Sequence, residues 1–173
     1  DSLPLGSAVI NRRYRGRVAD WAAPDEWAQT RSRHGFLRIV HGPEWEEFER
    51  ANFLGNSFTV TPDSDRMGAR LQGSPVRRNS AAELLSEAVA PGTIQVPPSA
   101  EPILLLGDCQ TIGGYPKIAH VISVDLGAAA QLQPADTVRF VEVSLAEAQR
   151  LLRERERDVE RFRVGVKLRS EWS

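Results

Sequence analysis

Between Phe36 and Val143 the apolar residues of this chain fall in short segments, each soon stopped by glycine or proline, and that punctuation constrains its fold more than any other feature. Phe36-Leu37-Arg38-Ile39-Val40 runs into Gly42-Pro43, Phe58-Thr59-Val60-Thr61 ends at Pro62, and Thr93-Ile94-Gln95-Val96 ends at Pro97-Pro98. Such lengths suit strands better than helices, and the β-branched content agrees. Ile103 to Leu106 is uninterrupted and suits a buried central strand. Arg70 to Gly73 reads as a weaker strand, Leu84 to Val89 as strand or short helix, Ile118 to Val124 as another apolar segment, and Val138 to Val143 alternates cleanly.

Helical signals sit toward the edges. Pro43 suits a first helical position, and Trp45, Phe48 and Ala51 would share one face of a short helix with Glu44, Glu46 and Glu47 in its first turn. Ser144-Leu145-Ala146-Glu147 fits a capping box, in which hydroxyl and carboxylate satisfy each other's backbone donors. The helix it opens carries Leu145, Ala148, Leu151, Leu152, Val159 and Phe162 at helical spacing, and Arg153 to Arg157 alternates in sign as a solvated face does. Residues 1–35, arginine-rich with two tryptophans and no clear period, read as an extended lead-in. The pattern predicts a mainly β barrel or sandwich with minor helix.

Composition narrows the partners. A chain of 173 residues supports one domain with a sizeable core, and 41% apolar with 26% charged residues is ordinary for a globular protein. A net charge of −1 gives no electrostatic reason to expect nucleic acid or an anionic membrane. The longest apolar run, Pro102 to Gly107, is too short to span a bilayer. Cys109 stands alone, which excludes an internal disulfide and a cysteine-built zinc site, and His34, His41 and His120 lack metal-ligand spacing. A reduced, cytoplasmic location is expected, and the opening Asp1-Ser2-Leu3-Pro4 has none of the character of a secretory signal.

Three segments spend polar and glycine residues where a plain core would not. In Ser64 to Gly73, Arg66 and Arg70 can form a fork for a carboxylate or phosphate; the bland alternative is a turn stitched by an Asp65–Arg ion pair. In Gly107 to Lys117, which follows the most apolar strand, Gly113-Gly114 lets a backbone approach a ligand closely, with Asp108 as base or orienting carboxylate, Lys117 as cation and Tyr115 as hydrogen-bonding group. A long glycine-containing turn is the alternative there. In the third, Ser86-Glu87 and Gln95 place polar groups inside apolar segments; a buried Glu87 needs a partner, and Arg66 and Arg70 are the natural ones. Cys109 is expected to be an inert thiol. No P-loop, dinucleotide fingerprint or Gly-x-Ser-x-Gly elbow is present.

Together these segments resemble one family. Its pattern is Ser-x-Arg-Met-Gly-x-Arg-Leu-x-Gly, then Ser-Glu leading to Gly-x-Ile-Gln-Val-Pro, then Asp-x-Gln-Thr-x-Gly-Gly-Tyr-Pro-Lys, then Asp-Leu…Gln…Pro-x-Asp-x-Val-x-Phe. Here the blocks stand as Ser64 to Gly73, Ser86 to Pro97, Asp108 to Lys117, and Asp125-Leu126 with Gln131, Pro134, Asp136, Val138 and Phe140. The chain is similar to the C-terminal half of the allophanate hydrolase subunit 2 family, also described as the C-type subunit of 5-oxoprolinase or as biotin-dependent carboxyltransferase-like. Three positions depart from the pattern: Ala69 replaces a common aromatic, Ile112 a second threonine, and Ala135 a glycine.

The resemblance implies a cyclophilin-like β-barrel over 36–143, preceded by a lead-in over 1–35 and followed by a C-terminal helix and tail over 144–173. Leu3-Pro4-Leu5-Gly6 resembles the family's junction with an N-terminal half. The resemblance further implies a subunit of an ATP-dependent 5-oxoprolinase, opening 5-oxo-L-proline to L-glutamate beside two other proteins. One is a homologous subunit 1-type protein (like the B-type subunit of 5-oxoprolinase), and the other is a large ATP-using subunit. The alternatives are carboxyl transfer from carboxybiotin to urea or a similar amide, and a non-catalytic regulatory binding module. No cofactor is expected on this chain itself; ATP, or biotin, would arrive on a partner. The residues expected to act are Asp108, Lys117, Arg66 and Glu87, with Ser64, Arg70, Gln110, Thr111, Gly113, Gly114 and Tyr115 holding substrate.

Overall fold

A computed structural model describes residues 35–80, 82 and 84–171 of the chain, with side chains to residue 168. The lead-in read over 1–35 lies outside the described residues apart from Gly35. Among the described residues nine strands form: β1 (Phe36–His41), β2 (Ser57–Val60), β3 (Gly68–Gln72), β4 (Glu87–Ala88), β5 (Thr93–Gln95), β6 (Ile103–Leu105), β7 (Ile112–Gly113), β8 (Lys117–Val121) and β9 (Thr137–Glu142). Seven close into a barrel in the order β1-β8-β5-β6-β3-β2-β9, while β4 and β7 pair as a separate two-stranded flap. The expected mainly β barrel with peripheral helices is therefore the fold.

Every barrel pairing is antiparallel except the seam. There β1 lies parallel to β9, with Phe36 opposite Arg139 and Ile39 opposite Glu142. Strand alternation fills the interior: Leu37 and Ile39 from β1, Phe58 and Val60 from β2, Leu71 from β3, and Val138 and Phe140 from β9 are all buried. Phe53 stacks on Phe140 at 4.7 Å between ring centroids and meets the edge of Trp45 at 6.1 Å, so aromatic area dominates one part of the core.

Phe53 belongs to helix α1 (Arg50–Leu54), and here the sequence expectation is corrected. One helix presenting Trp45, Phe48 and Ala51 does not form. A 3-10 turn (Trp45–Glu47) and α1 are separated by Phe48, whose backbone is extended. Phe48 forms a β-bridge with Arg78, and the Glu49 N–H donates to the Arg77 carbonyl at 3.0 Å. Those bonds draw the chain out of helical geometry, so Phe53 is buried and Ala51 is exposed.

After β8 a 3-10 turn (Ser123–Asp125) and the short helix α2 (Leu126–Ala129) lead to β9, and α3 (Leu145–Glu171) closes the described chain. Ser144 Oγ accepts from the Glu147 N–H at 3.1 Å, forming one half of the capping box. The other half is displaced, because the Glu147 carboxylate is taken by Arg150 at 2.5 and 2.9 Å. None of the described helices is long and apolar enough to cross a membrane.

Candidate functional site

The polar side chains of β5 and β8 gather on the outer wall of the barrel. Ile94 pairs with Ala119 and both point into the core, but an irregularity follows, and Gln95 pairs with Lys117 rather than Ile118. That bulge puts Gln95 and Lys117 directly opposite one another, beside the Thr93–His120 pair. All lie beneath or beside the β4–β7 flap, in which Glu87 pairs with Gly113 and Ala88 with Ile112.

Lys117 is the centre of this layer. Its side chain is only 7% exposed, and its ammonium donates to Glu87, whose own side chain is 62% exposed. The sequence reading expected Glu87 to be buried and matched with Arg66 or Arg70. The structure reverses that: the cation is the buried member, and Lys117 is the partner, because the flap hangs Glu87 over β8 and away from β3. The Lys117 backbone is clamped from the other side. Its N–H donates to the Glu44 carboxylate at 2.7 Å, and the Gly42 N–H donates to Ile118 O at 2.9 Å. Gly42 is indispensable in this clamp, since a Cβ there would lie 2.2 Å from Lys117 O.

Gln95 is 1% exposed, and its Nε2 donates to Tyr115 O at 3.2 Å. Directly above it a Cβ on Gly113 would stand 2.8 Å from that same Nε2, while a Cβ on Gly114 would stand 3.3 Å from the Ser86 hydroxyl. His120 shares a hydrogen bond of 3.3 Å with the Thr93 hydroxyl. Burial, and then the Lys117 cation, hold its imidazole below the ordinary histidine range against a smaller opposing pull from Glu44.

The remaining predicted residues divide in two. Arg66 and Asp108 meet at the surface, 3.4 Å apart and both well exposed. Asp65 stitches this turn through its carboxylate to the Met67 and Gly68 N–H groups at 2.8 and 3.1 Å. The exposed Gln110 and Thr111 lie on the loop joining this corner to the flap. Leu106 N–H donates to Met67 O at 2.9 Å at one end of that loop, and Val89 N–H to Thr111 O at 3.0 Å at the other. Arg70 is elsewhere: alternation along β3 turns it into a different groove, of about 570 Å³, with Gln72, Asp63 and Glu101. Ser64 uses its hydroxyl on the Arg70 backbone, accepting from its N–H at 2.9 Å. The Arg66–Arg70 fork therefore gives way to one arginine at the loop and one in the groove.

Tyr115 is half-exposed and borders a cleft of about 710 Å³ lined by Pro75, Val96, Pro98 and Arg77. Burial pushes the Cys109 thiol up, which keeps it protonated at neutral pH. Among the described residues no group of three His, Cys, Asp or Glu side chains could hold a metal ion. Sequence reasoning missed Glu44, read only as a first-turn acid, and weighed His120 only as a metal ligand; no local signal ties either to Lys117.

A closed barrel whose buried lysine pairs with an exposed glutamate on a glycine-bearing flap is thus the frame on which this chain's motifs converge. Residues 1–142 match the family model described as carboxyltransferase domain, subdomain A and B, and the chain belongs to that family. It is 45% identical to the 5-oxoprolinase C-type subunit of Haemophilus influenzae over 123 residues, covering 69% of this chain and 40% of that protein. It is 40% identical to the 5-oxoprolinase C-type subunit of Escherichia coli over 129 residues, covering 73% of this chain and 42% of that protein. The chain thus spans well under half the length of these curated relatives. Among solved structures, K. lactis urea amidolyase superposes with a TM-score of 0.68 at 23% identity, over 73% of this chain and 8% of that protein, a likeness of fold.

Proposed function

We propose that this chain is the C-terminal part of a 5-oxoprolinase C-type subunit, acting in a complex that opens 5-oxo-L-proline to L-glutamate at the expense of ATP. The observation that carries the reading is the Lys117–Glu87 pair, with Glu87 opposite Gly113 in the flap, in a chain 40–45% identical over its matched residues to two proteins of that name. Opening a lactam places negative charge on the amide oxygen, and an ammonium in a water-poor setting stabilises such charge far better than one in bulk water. Lys117 donates to Glu87 and has further N–H donors to offer a substrate oxygen. In this reading Glu87 or Asp108 handles a proton, Arg66 adds positive charge at the rim, and Gly113, Gly114, Tyr115, Gln110 and Thr111 border the substrate. Arg70 and Ser64 contribute by shaping the neighbouring strand.

Met67, Leu85, Ile112 and Tyr115 are large apolar or aromatic residues left exposed on the motif-bearing loops and flap. We assign these residues to contact with the rest of the assembly: a subunit 1-type protein, like the B-type subunit of 5-oxoprolinase, and a large subunit that uses the ATP. A second reading, carboxyl transfer from biotin carried on a partner to urea or a similar amide, is favoured by the family's description as a carboxyltransferase domain. The test is glutamate release from 5-oxoproline with ATP, using the full-length parent co-expressed with its partner subunits. Turnover that disappears when this subunit is omitted supports the first reading. An assembled complex that is silent toward 5-oxoproline but carboxylates an amide from carboxybiotin supports the second, and one that does neither leaves a binding role.

A further inference from the structure

The polar layer under the flap contains Gln95, to which the reading above gives no part. Gln95 is among the most deeply buried side chains of the chain, yet it sits on the outer wall of the barrel and not in its apolar core. Burying an amide there is costly unless its polar atoms are used. Its use is visible: Nε2 donates to Tyr115 O, directly beneath the point where Gly113 lacks a side chain. The bulge between β5 and β8 sets the same residue opposite Lys117. One side chain therefore touches the loop from below and adjoins the lysine laterally.

We propose that Gln95 is a positioning residue that fixes the height of the Gly113-Gly114-Tyr115 backbone over Lys117, so that loop and ammonium face a substrate as one unit. The inference rests on the reading of this site as the amide-binding site. Two features support it jointly. The hydrogen bond pulls the loop down onto the amide, and the missing Cβ at Gly113 sets how far down it can come. A methyl at Gly113 would push on Nε2, displacing the amide from its bond to Tyr115 or lifting the loop, whereas a shorter residue at 95 would release it. The two positions are thus mechanically coupled, which a merely space-filling glutamine would not require.

The test uses Gln95→Ser, Gly113→Ala and the double variant, with Gln95→Glu as the shape-conserving substitution that removes the donor should the serine variant fail to fold. Hydrogen exchange on the whole chain is the first readout. Gln95→Ser and Gln95→Glu are expected to speed exchange of the Gly113 to Tyr115 amides by about tenfold or more, with the β1 and β9 amides unchanged. Turnover in the assembled complex is the second: kcat is expected to fall about tenfold for each single variant, with KM shifting by less than about threefold. The double variant is expected to lose no more than Gln95→Ser alone, because the clash has no target once the amide is gone. Unchanged exchange in the loop, or losses that simply multiply, would overturn the proposal. A loosened loop with undiminished turnover would instead uphold Gln95 as the loop's anchor and remove the loop from the chemistry.

Discussion

Arg38 and Asp125, 87 residues apart, are joined by three hydrogen bonds: Arg38 N–H and Nε each donate to Oδ2 at 2.9 Å, and Nη2 donates to Oδ1 at 2.5 Å. Asp125 belongs to a block on which the family resemblance rests, and its work here is structural. It pins the turn after β8 to β1, next to the barrel seam. Replacing it with alanine strands a half-buried guanidinium and a backbone N–H, and we expect a loss of about 2–4 kcal/mol. Urea unfolding of Asp125→Ala should show a lower midpoint at unchanged slope; a midpoint equal to wild type would refute the pinning role.

Lys117→Met should separate chemistry from folding. The methionine keeps most of the volume, and Glu87 is exposed enough to be solvated once its partner is gone. Stability is expected to change by less than about 1 kcal/mol, while kcat of the assembled complex falls by about a hundredfold or more. Turnover at the wild-type rate from an intact complex would remove Lys117 from the mechanism.

His120 makes stability depend on pH. Its folded-state affinity for a proton is depressed, so over the window just below the ordinary histidine value the unfolded chain binds more protons than the folded one. Its contribution is fully present above about pH 6.5 and is lost as pH falls through the depressed folded value. Thermal melts between about pH 7.5 and 5 should show the fall, and His120→Gln should flatten it; parallel curves for both proteins would count against this assignment.

Ala135 occupies a left-handed conformation with φ +73°, at the position where the family pattern has glycine. Alanine is strained there, whereas glycine loses more entropy on folding. Strain outweighs that entropy, so Ala135→Gly is expected to stabilise by about 0.5–1 kcal/mol, read as a raised Tm.

Gly42→Ala is the opposite case. The added Cβ would strike the Lys117 carbonyl, a backbone atom held in β8 and unable to move aside cheaply. We expect a destabilisation above about 3 kcal/mol or failure to accumulate folded protein, measured by soluble yield and circular dichroism.

Much of this molecule was legible along the chain. Phe36 to Val40, Phe58 to Val60, Thr93 to Gln95, Ile103 to Leu105 and Val138 to Glu142 became strands, because β-branched and apolar alternation is a local property with a local cause. The flap was only half legible: Leu84 to Val89 read as strand or short helix, but nothing marked Ile112-Gly113 as its partner. Two residues on each side, Glu87-Ala88 and Ile112-Gly113, become strands only by meeting each other. The same limit applied to the site: Lys117, Glu87, Gly113 and Gln95 could each be singled out, but the Lys117–Glu87 pairing and the bulge that sets Gln95 opposite Lys117 are long-range events. The separation of Arg70 from Arg66 escaped the sequence for a simpler reason. It stands four residues from Arg66 along the chain, while a turn and a strand's alternation send the two into different surroundings.

The parallel seam between β1 and β9 has a consequence for how the protein is made. β1 is the first barrel strand to leave the ribosome, yet its two neighbours, β8 and β9, are the last. Until residue 121 has emerged neither edge of β1 has its barrel partner, and until residue 142 has emerged one edge remains open to other chains. Assembly must therefore wait for nearly the whole barrel and then join its ends in a late step with large loop entropy against it. Of the barrel strands described, β1 is thus the one whose hydrogen-bonding partners arrive latest in synthesis.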